Sequence, residues 1–399
     1  MIGLPLVQEA VLALCGPSDP VEVPAGRAIG CVSASDVVSG VSVPPFDNSA
    51  VDGYAVRRGD IPAVPAALPV QAAVLAGSPG EAALWPGHAC KVMTGAPVPA
   101  GAECVVMVEE TEPGAGDRVI VRAIPGAGSR LRRRGSDVAA GDVVLPVGTP
   151  IRPGVVAALA SIGRRSVLVH RRPRVGVAAT GDELVTEPRA LRAGEIYECA
   201  ADMLAALVRG AGGVAISLGV IPDEPGVLGE TLAAAAAQCD LIVTTGGVSM
   251  GDADFLPDVL ASLGSVRRFQ VAIRPGKPFA LGLIGGTTPV LGLPGNPVSS
   301  LVTFELLVRP AVRALLGDPR PIPIPVRAVA AEPLDATDCP DRVSYLRVIT
   351  DVVDGSLSVR PVAGQSSHQI FRAASADGLA VVPMGARIDV GAGVDVLAL

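Results

Sequence analysis

Between residues 173 and 316, strand patterns alternate with helix patterns, and this alternation constrains the fold more than any other feature. The strands are RVGVAATGDEL, GVAISLGVI, DLIVTTGG and PVLGLPG, and stretches of helical length lie between them near 199–210, 225–237 and 253–263. Strands that alternate with helices form βαβ units, whose strands lie parallel in one sheet. We therefore predict a three-layer α/β domain with a parallel-type sheet over residues 173–318.

The regions on either side of this segment have different patterns. Short Val-rich strands such as VVMVEE and RVIVRAI are divided by Gly and Pro, which predicts an inserted β-rich domain over 25–145. Residues 1–24 and 146–172 contain helix patterns and predict an N-terminal helical and linker domain. The Pro-rich GDPRPIPIPV leads into a C-terminal β-barrel-like domain over 319–399.

Charge and hydropathy exclude two classes of partner. The net charge is −7, whereas binding to nucleic acid requires a basic face. The arginine run, Arg130 with Arg132–Arg134, is a local exception that we interpret as a solvated loop. No stretch approaches the ~20 apolar residues of a membrane span. The sequence thus predicts neither nucleic acid nor a membrane as a partner.

The N-terminus and the cysteines indicate the compartment. No Lys or Arg precedes Arg27, so the apolar start lacks the basic leader of a secretory signal. The seven cysteines are scattered and form no CxxC pair, which is typical of reduced thiols without disulfides or a zinc site. We expect a cytoplasmic protein.

Two strand-to-helix turns have the composition of anion-binding loops. TTGGVS provides Thr245, Gly246, Gly247 and Ser249, and LPGNP provides Pro294, Gly295 and Asn296. In open α/β sheets, ligands bind at the carboxyl ends of the strands, where glycines let backbone N–H groups approach a phosphate. Ordinary turns and helix capping by aspartates are the structural alternative.

Charged side chains accompany these loops. Glu183, Asp223 and Asp254 follow three of the strands, and carboxylates beside a phosphate could hold Mg²⁺. Each turn alone could equally be structural. Arg274 and Lys277 lie in IRPGKPFALG, and both could bind a tetrahedral oxyanion.

One segment has no generic explanation, namely PPFDNSAVDGYAVR at 44–57. Together with KVMTGAPVPAGAECVVMVEE, TGDEL, TTGGVSMGDAD, RPGKPFALG, LPGNPVSS and GQSSH, it resembles the MoeA family, which includes the E domain of gephyrin. Any four-residue piece is weak evidence, but the motifs occur in family order along nearly the whole chain.

The resemblance implies an elongated homodimer of four-domain subunits with the active site at the dimer interface. It implies adenylylated molybdopterin and molybdate as substrates, Mg²⁺ as cofactor, release of AMP, and molybdenum left on the dithiolene sulfurs. It also implies contact with the adenylyltransferase of the same pathway. By resemblance, the α/β domain is the molybdopterin-binding domain, and the chain is a molybdopterin molybdenumtransferase.

The family pattern also implies particular site residues. The metal-binding and catalytic carboxylates would be Asp52, Glu183, Asp223 and Asp254, with Thr94 as a further catalytic residue and Asp52 supplied by the other subunit. The substrate-binding residues would be Thr245, Gly246, Gly247, Ser249, Arg274, Lys277, Pro294, Gly295, Asn296 and Ser367. We interpret Asp47 and Asn48 as turn-shaping residues.

The chain departs from the family pattern in two places. The family usually has Ser-Asn or Thr-Asn where this chain has Cys199 and Ala200, and it often has Lys where this chain has Gln270. Two alternatives therefore stay open: adenylyl transfer from ATP to molybdopterin, and a divergent pterin-binding carrier or scaffold. No sequence feature separates molybdate from tungstate, which share geometry and charge.

Overall fold

The computed structural model describes residues 1–80, 83–248 and 255–399. Its helices are α1 (Leu4–Leu12), α2 (Pro153–Ser161), α3 (Ala200–Gly210), α4 (Pro225–Ala236), α5 (Leu256–Leu263), α6 (Pro297–Thr303), α7 (Arg309–Leu315) and α8 (Ile370–Ala373), and a π-helical turn, Phe304–Val308, joins α6 to α7. Six of them have proline at the first or second position. Backbone N–H groups in the first turn have no intrahelical acceptor, so proline, which lacks an N–H, costs no hydrogen bond there. Among the described helices, none is long and apolar enough to cross a membrane.

The N-terminal part is rich in short strands. They are β1 (Pro20–Pro24), β2 (Val37–Val38), β3 (Asn48–Ser49), β4 (Gly53–Val56), β5 (Ala66–Val74), β6 (Ala89–Val92), β7 (Cys104–Met107), β8 (Thr111–Pro113), β9 (Arg118–Val121), β10 (Leu131–Arg132), β11 (Val143–Leu145) and β12 (Ser166–His170). Six of them form a sheet in the order β7-β4-β6-β5-β9-β8, while β1 pairs with β12 and β2 with β11. The β3–β10 pair places the DNSAVDG segment beside the arginine run.

The central strands are β13 (Arg174–Thr180), β14 (Leu184–Val185), β15 (Ile196–Tyr197), β16 (Val214–Ile221), β17 (Leu241–Thr245), β18 (Gly264–Gln270), β19 (Ile273–Arg274), β20 (Pro278–Ile284) and β21 (Thr288–Leu293). Six form a sheet in the order β16-β13-β17-β21-β20-β18. The first four run parallel, as the βαβ pattern predicts, and β20 and β18 run antiparallel at one edge. The α/β class is confirmed, and the sheet is mixed rather than parallel throughout.

Alternate side chains of the buried strands face the two outer layers of helices. Val175 and Val177 belong to the core shared with α1, α3 and α7, whereas Ala178 and Ile242 pack against α4 and α5. Because both faces are covered, these strands have continuous apolar sequences rather than alternating ones. Full burial of each Val or Ile contributes about 1.5–3 kcal/mol.

The C-terminal part is a closed barrel. Its strands are β22 (Val326–Ala330), β23 (Leu334–Asp335), β24 (Val343–Val353), β25 (Ser356–Pro361), β26 (Gly378–Val382), β27 (Arg387–Ile388) and β28 (Gly393–Ala398). Five of them follow the order β24-β25-β22-β28-β26, and pairing of β26 with β24 closes the ring, which confirms the barrel-like prediction. The barrel packs on the α/β domain through an apolar cluster that joins α8 to α3 and α6.

We predict that Leu204→Ala lowers the free energy of unfolding of the α/β domain by about 2–5 kcal/mol, because it leaves a cavity between α3 and the sheet. Leu204 is fully buried there. Urea unfolding followed by the helical circular dichroism signal measures the change. The matched control is Leu6→Ala on α1, where the side chain is 63% exposed. Equal stability of the two variants would contradict the packing described for α3.

Candidate active site

A crevice opens where four parallel strands end. The turns that follow β13, β16, β17 and β21 meet there and line a cavity of about 930 Å³. Eight of the predicted site residues line it: Glu183, Asp223, Thr245, Gly246, Gly247, Pro294, Gly295 and Asn296. Strand-end turns that are distant in sequence are thus brought together by the parallel sheet, which is the usual ligand position in open α/β folds.

The turn after β17 packs so closely on the end of β13 that it needs glycine, and it also contacts the turn after β21. Gly246 has φ +96°, and a Cβ there would lie 2.6 Å from both the carbonyl oxygen and the Oγ1 of Thr180. A Cβ on Gly295 would lie 3.5 Å from the Cα of Gly246, so the two turns are in contact. The crevice floor is therefore bare backbone, which lets a ligand approach the main chain.

Buried hydroxyl groups hold these two turns together. The Thr245 hydroxyl, on a side chain only 3% exposed, donates to the Pro294 carbonyl at 3.0 Å. The Ser300 hydroxyl lies 2.5 Å from the same carbonyl and 3.0 Å from Thr245 Oγ1. The N–H of Gly246 donates to the Leu293 carbonyl at 3.1 Å. Thr245 lines the crevice, but its hydroxyl joins the two turns.

Two of the predicted carboxylates lie on the crevice wall. Glu183 is exposed, and Gly181 leaves room for its carboxylate, because a Cβ on Gly181 would come within 2.5 Å of Glu183 Oε2. The N–H of Asp223 donates to the carboxylate of Asp182 at 3.1 Å, which links the turns after β13 and β16. Glu183 and Asp223 therefore flank the glycine turns within one cavity.

Two predicted residues, Ser249 and Asp254, lie outside the described residues. Within the described part of the chain, no three His, Cys, Asp or Glu side chains are grouped closely enough to hold a metal ion by themselves. The described carboxylate residues that line the crevice are Glu183, Glu198 and Asp223.

Asp52 and Thr94 form a pair in the N-terminal β-rich part, and neither lines the crevice. Asp52 Oδ1 accepts hydrogen bonds from the Thr94 N–H at 2.7 Å and from its hydroxyl at 2.8 Å. These bonds, with a smaller contribution from Lys91, hold the pKa of Asp52 below its ordinary value. The structure thus keeps Asp52 as an exposed, ionised carboxylate.

Arg274, Lys277 and Ser367 are absent from the crevice lining. The Arg274 guanidinium bonds to Asp338 at 2.6 Å, and Lys277 is half-buried. Ser367 accepts a backbone bond from the Val298 N–H at 3.1 Å. Its neighbour His368 does line the crevice, so the GQSSH loop forms part of the wall. The substrate contacts of Arg274, Lys277 and Ser367 stay predictions.

The arginine run is more than a solvated loop. Arg133 bonds to Asp47 at 2.6 Å, the N–H of Arg134 donates to the same carboxylate, and Arg130 pairs with Glu110. These contacts join the run to the turn that begins the DNSAVDG segment. Arg132, Arg133 and Arg134 are exposed to solvent as predicted, but the β3–β10 pairing beside them is indicated by no local pattern.

Sequence reasoning also missed Arg347, which lies in β24 and is only 1% exposed. Its guanidinium donates to the carbonyls of Gly364 at 2.8 Å and Ser366 at 3.2 Å, so it supports the GQSSH loop from the face of β24 that lies opposite the barrel core. Burial lowers the pKa of Arg347. The sequence signal that could have identified Arg347 is its position as a charged residue within the apolar run VSYLRVIT.

Family descriptions match most of the chain. The MoeA N-terminal region (domain I and II) matches residues 4–163, the probable molybdopterin binding domain matches 176–314, and the MoeA C-terminal region (domain IV) matches 328–399. The second range contains the crevice turns, and the first contains Asp52 and Thr94.

Individual relatives cover nearly the full length. The chain is 39% identical over 387 residues to molybdopterin molybdenumtransferase 2 of Mycobacterium tuberculosis, and the matched region covers 94% of each chain. It is 37% identical over 384 residues to molybdopterin molybdenumtransferase of Nostoc sp., covering 93% of this chain and 86% of the relative. The solved molybdopterin biosynthesis MoeA protein from Pyrococcus horikoshii OT3 has a TM-score of 0.87 at 28% identity and covers 100% of both chains.

We expect Gly246→Ala to destabilise the protein by at least about 1–2 kcal/mol, because an L-residue at this positive φ is strained and its Cβ would clash with Thr180. Thermal or urea unfolding measures the loss. Gly226→Ala, in the first turn of α4 with no atom within 4 Å of the added Cβ, is the matched control and should be neutral or slightly stabilising. Similar behaviour of the two variants would disprove the close contact at Gly246.

Thr94→Val should raise the pKa of Asp52 part of the way towards its ordinary value, because the hydroxyl bond is lost while the backbone bond remains. A carboxyl NMR titration measures this pKa. A lowered folded-state pKa stabilises the fold above the unfolded-state pKa, and this stabilisation is lost as pH falls through the folded value. The variant should therefore lose less stability on acidification than the wild type does.

The control for this titration is Thr111→Val, whose hydroxyl bonds to the Val108 carbonyl and not to Asp52. It should leave the pKa of Asp52 unchanged. An unchanged Asp52 pKa in Thr94→Val would show that the hydroxyl does not stabilise the carboxylate.

Proposed function

Because this chain belongs to the MoeA family, we propose that it is a molybdopterin molybdenumtransferase, an enzyme of molybdenum cofactor biosynthesis. The observation that carries the proposal is the crevice at the ends of four parallel strands, where two glycine turns meet two of the predicted carboxylates. Its position within the molybdopterin-binding range, 176–314, agrees with this function.

The reaction that we propose takes adenylylated molybdopterin and molybdate, releases AMP, and leaves molybdenum on the dithiolene sulfurs. Adenylylated molybdopterin carries a phosphoanhydride, so its cleavage depends on neutralising charge and on positioning more than on a protein nucleophile. Gly246, Gly247 and Gly295 would place backbone close to the phosphates, and Pro294 and Asn296 would complete that wall. Arg274, Lys277 and Ser367 are proposed as further contacts to the anionic substrates.

Mg²⁺ is the proposed cofactor, and the donors in the crevice suit it. Mg²⁺ is commonly bound by one or two carboxylates together with phosphate oxygens and water, and Glu183 and Asp223 both line the crevice. The ion would offset the charge on the phosphates when bound. Asp254, outside the described residues, is proposed as a third carboxylate of this group.

A homodimer is proposed because Asp52 and Thr94 lie away from the crevice of their own chain. Pairing of two copies would let the N-terminal β-rich part of one subunit supply its ionised Asp52 to the crevice of the other. The four-domain division, with bounds near residues 25, 146, 173 and 319, belongs to the same proposal. The docking partner would be the adenylyltransferase that supplies the nucleotide-linked pterin.

A cytoplasmic location is proposed on the basis of the cysteines. All seven are free thiols, and six of them are buried. Burial raises the pKa of the Cys15 thiol to about 12, so this side chain stays protonated and unreactive at neutral pH. A chain that keeps so many reduced thiols suits a reducing compartment.

A pterin-binding carrier is the second candidate, and one observation favours it. Cys199 and Ala200 line the crevice at the position where the family pattern has a hydroxyl residue followed by asparagine. A lost amide would weaken a substrate contact without removing the cavity. AMP release from adenylylated molybdopterin, measured with and without molybdate and Mg²⁺, separates the two functions, because a carrier would bind and not release.

We predict that Glu183→Gln lowers molybdate-dependent AMP release by at least about tenfold, because an amide keeps the side-chain size but loses the charge that faces the bound cation. Single-turnover AMP release measures the effect. Glu187→Gln changes an exposed glutamate that follows the same turn but does not line the crevice, and it should retain wild-type release. Wild-type activity of Glu183→Gln would remove Glu183 from the catalytic group.

A further inference from the structure

The crevice has a second wall that the anion-binding turns do not explain. It is formed by residues 183–200, in which β14 and β15 pair in parallel. The N–H of Ile196 donates to the Glu183 carbonyl, and the N–H of Glu198 donates to the Val185 carbonyl, both at 2.9 Å. These bonds join β15 to β14 within the wall, and β14 follows β13 after a short turn.

This wall presents apolar surface to solvent. Ile196 and Tyr197 line the crevice, and Tyr197 is 51% exposed. Aromatic residues make up only 3% of the chain, and this tyrosine lines the cavity at the strand ends. Half-exposed apolar side chains in a cavity are unfavourable in water and gain when a ligand covers them.

The position of Tyr197 is also firmly restrained. Its hydroxyl donates to the Arg189 carbonyl at 2.5 Å. The Arg189 guanidinium forms two bonds to Glu195, at 2.6 and 2.9 Å, and the Arg192 N–H donates to the same carboxylate. These donors lower the pKa of Glu195 to about 2, so the carboxylate that holds Arg189 in place is ionised at neutral pH. A ring restrained in this way loses little conformational freedom when a ligand binds.

We propose that Tyr197 is a binding residue that stacks against a planar heteroaromatic ring of the substrate, while the glycine turns of the same cavity receive its phosphates. Stacking suits Tyr197 because its hydroxyl is already bonded and the rest of the side chain is apolar. This inference rests on the proposed function for the identity of the ligand, which carries two such rings, adenine and pterin. Both offer the same chemistry to the wall.

The test compares three probes with the full-length chain: AMP, 6-hydroxymethylpterin, and ribose 5-phosphate, which has no ring system to stack. Tyr197→Leu should weaken binding of AMP, of the pterin, or of both by about tenfold or more and leave ribose 5-phosphate unchanged. The probe that loses affinity identifies the stacked ring. Tyr197→Phe keeps the ring and should stay within about threefold of wild type. Trp85→Leu, at an aromatic 59% exposed that does not line the crevice, is the control and should bind like wild type.

Four results would overturn the proposal. The first is that Tyr197→Leu binds both ring-bearing probes as tightly as the wild type does. The second is that the wild-type protein binds neither of them better than ribose 5-phosphate. The third is an equal loss of affinity for all three probes, which would mean that Tyr197 only supports the wall. The fourth is that Tyr197→Phe loses as much affinity as Tyr197→Leu, because the hydroxyl bond would then carry the effect. These binding constants do not depend on AMP release, so failure of the transferase assay is a separate result.

Discussion

The rest of the site depends on the contact between the turns after β17 and β21. Two hydroxyl groups, from Thr245 and Ser300, converge on the Pro294 carbonyl, and Gly246 packs directly against Thr180. Buried polar groups that are mutually satisfied favour one geometry strongly, because any separation leaves an unpaired donor or acceptor away from water. These two turns therefore form a rigid floor of backbone, and the surrounding walls are positioned against it.

The α/β domain could be predicted because its strands are buried on both faces. Such strands appear as short apolar runs between helix patterns, and β13, β16, β17 and β21 were all recognised in this way. The hairpin of β18 and β20 was not. β18 lies at the sheet edge and buries only Phe269, so its sequence, GSVRRFQ, has no strand periodicity. The antiparallel edge of the sheet could not be seen for that reason.

The candidate site was predictable where its chemistry lies at strand ends. Glycine turns and carboxylates that follow neighbouring parallel strands meet at one edge of the sheet, and the structure brings Glu183, Asp223 and the two turns into one crevice, while their roles stay predictions. Contacts between distant segments were not predictable. Arg347 supports the GQSSH loop across seventeen or more residues, and Tyr197 faces the crevice only because β14 and β15 pair. Neither follows from local sequence, since each depends on tertiary packing.

The docking of α8 against α3 and α6 connects the crevice to the barrel. His368 and Ile370 complete the crevice wall, and they lie between β25 and β26 of the barrel. The barrel strands also contribute Tyr345, Leu379 and Leu397 to the core that the sheet shares with α1, α3 and α7. A substitution that loosened the barrel would therefore uncover the apolar surface of α6 and open one side of the crevice. Mutations far from the crevice can in this way reduce ligand binding, because the pocket and the barrel share their packing.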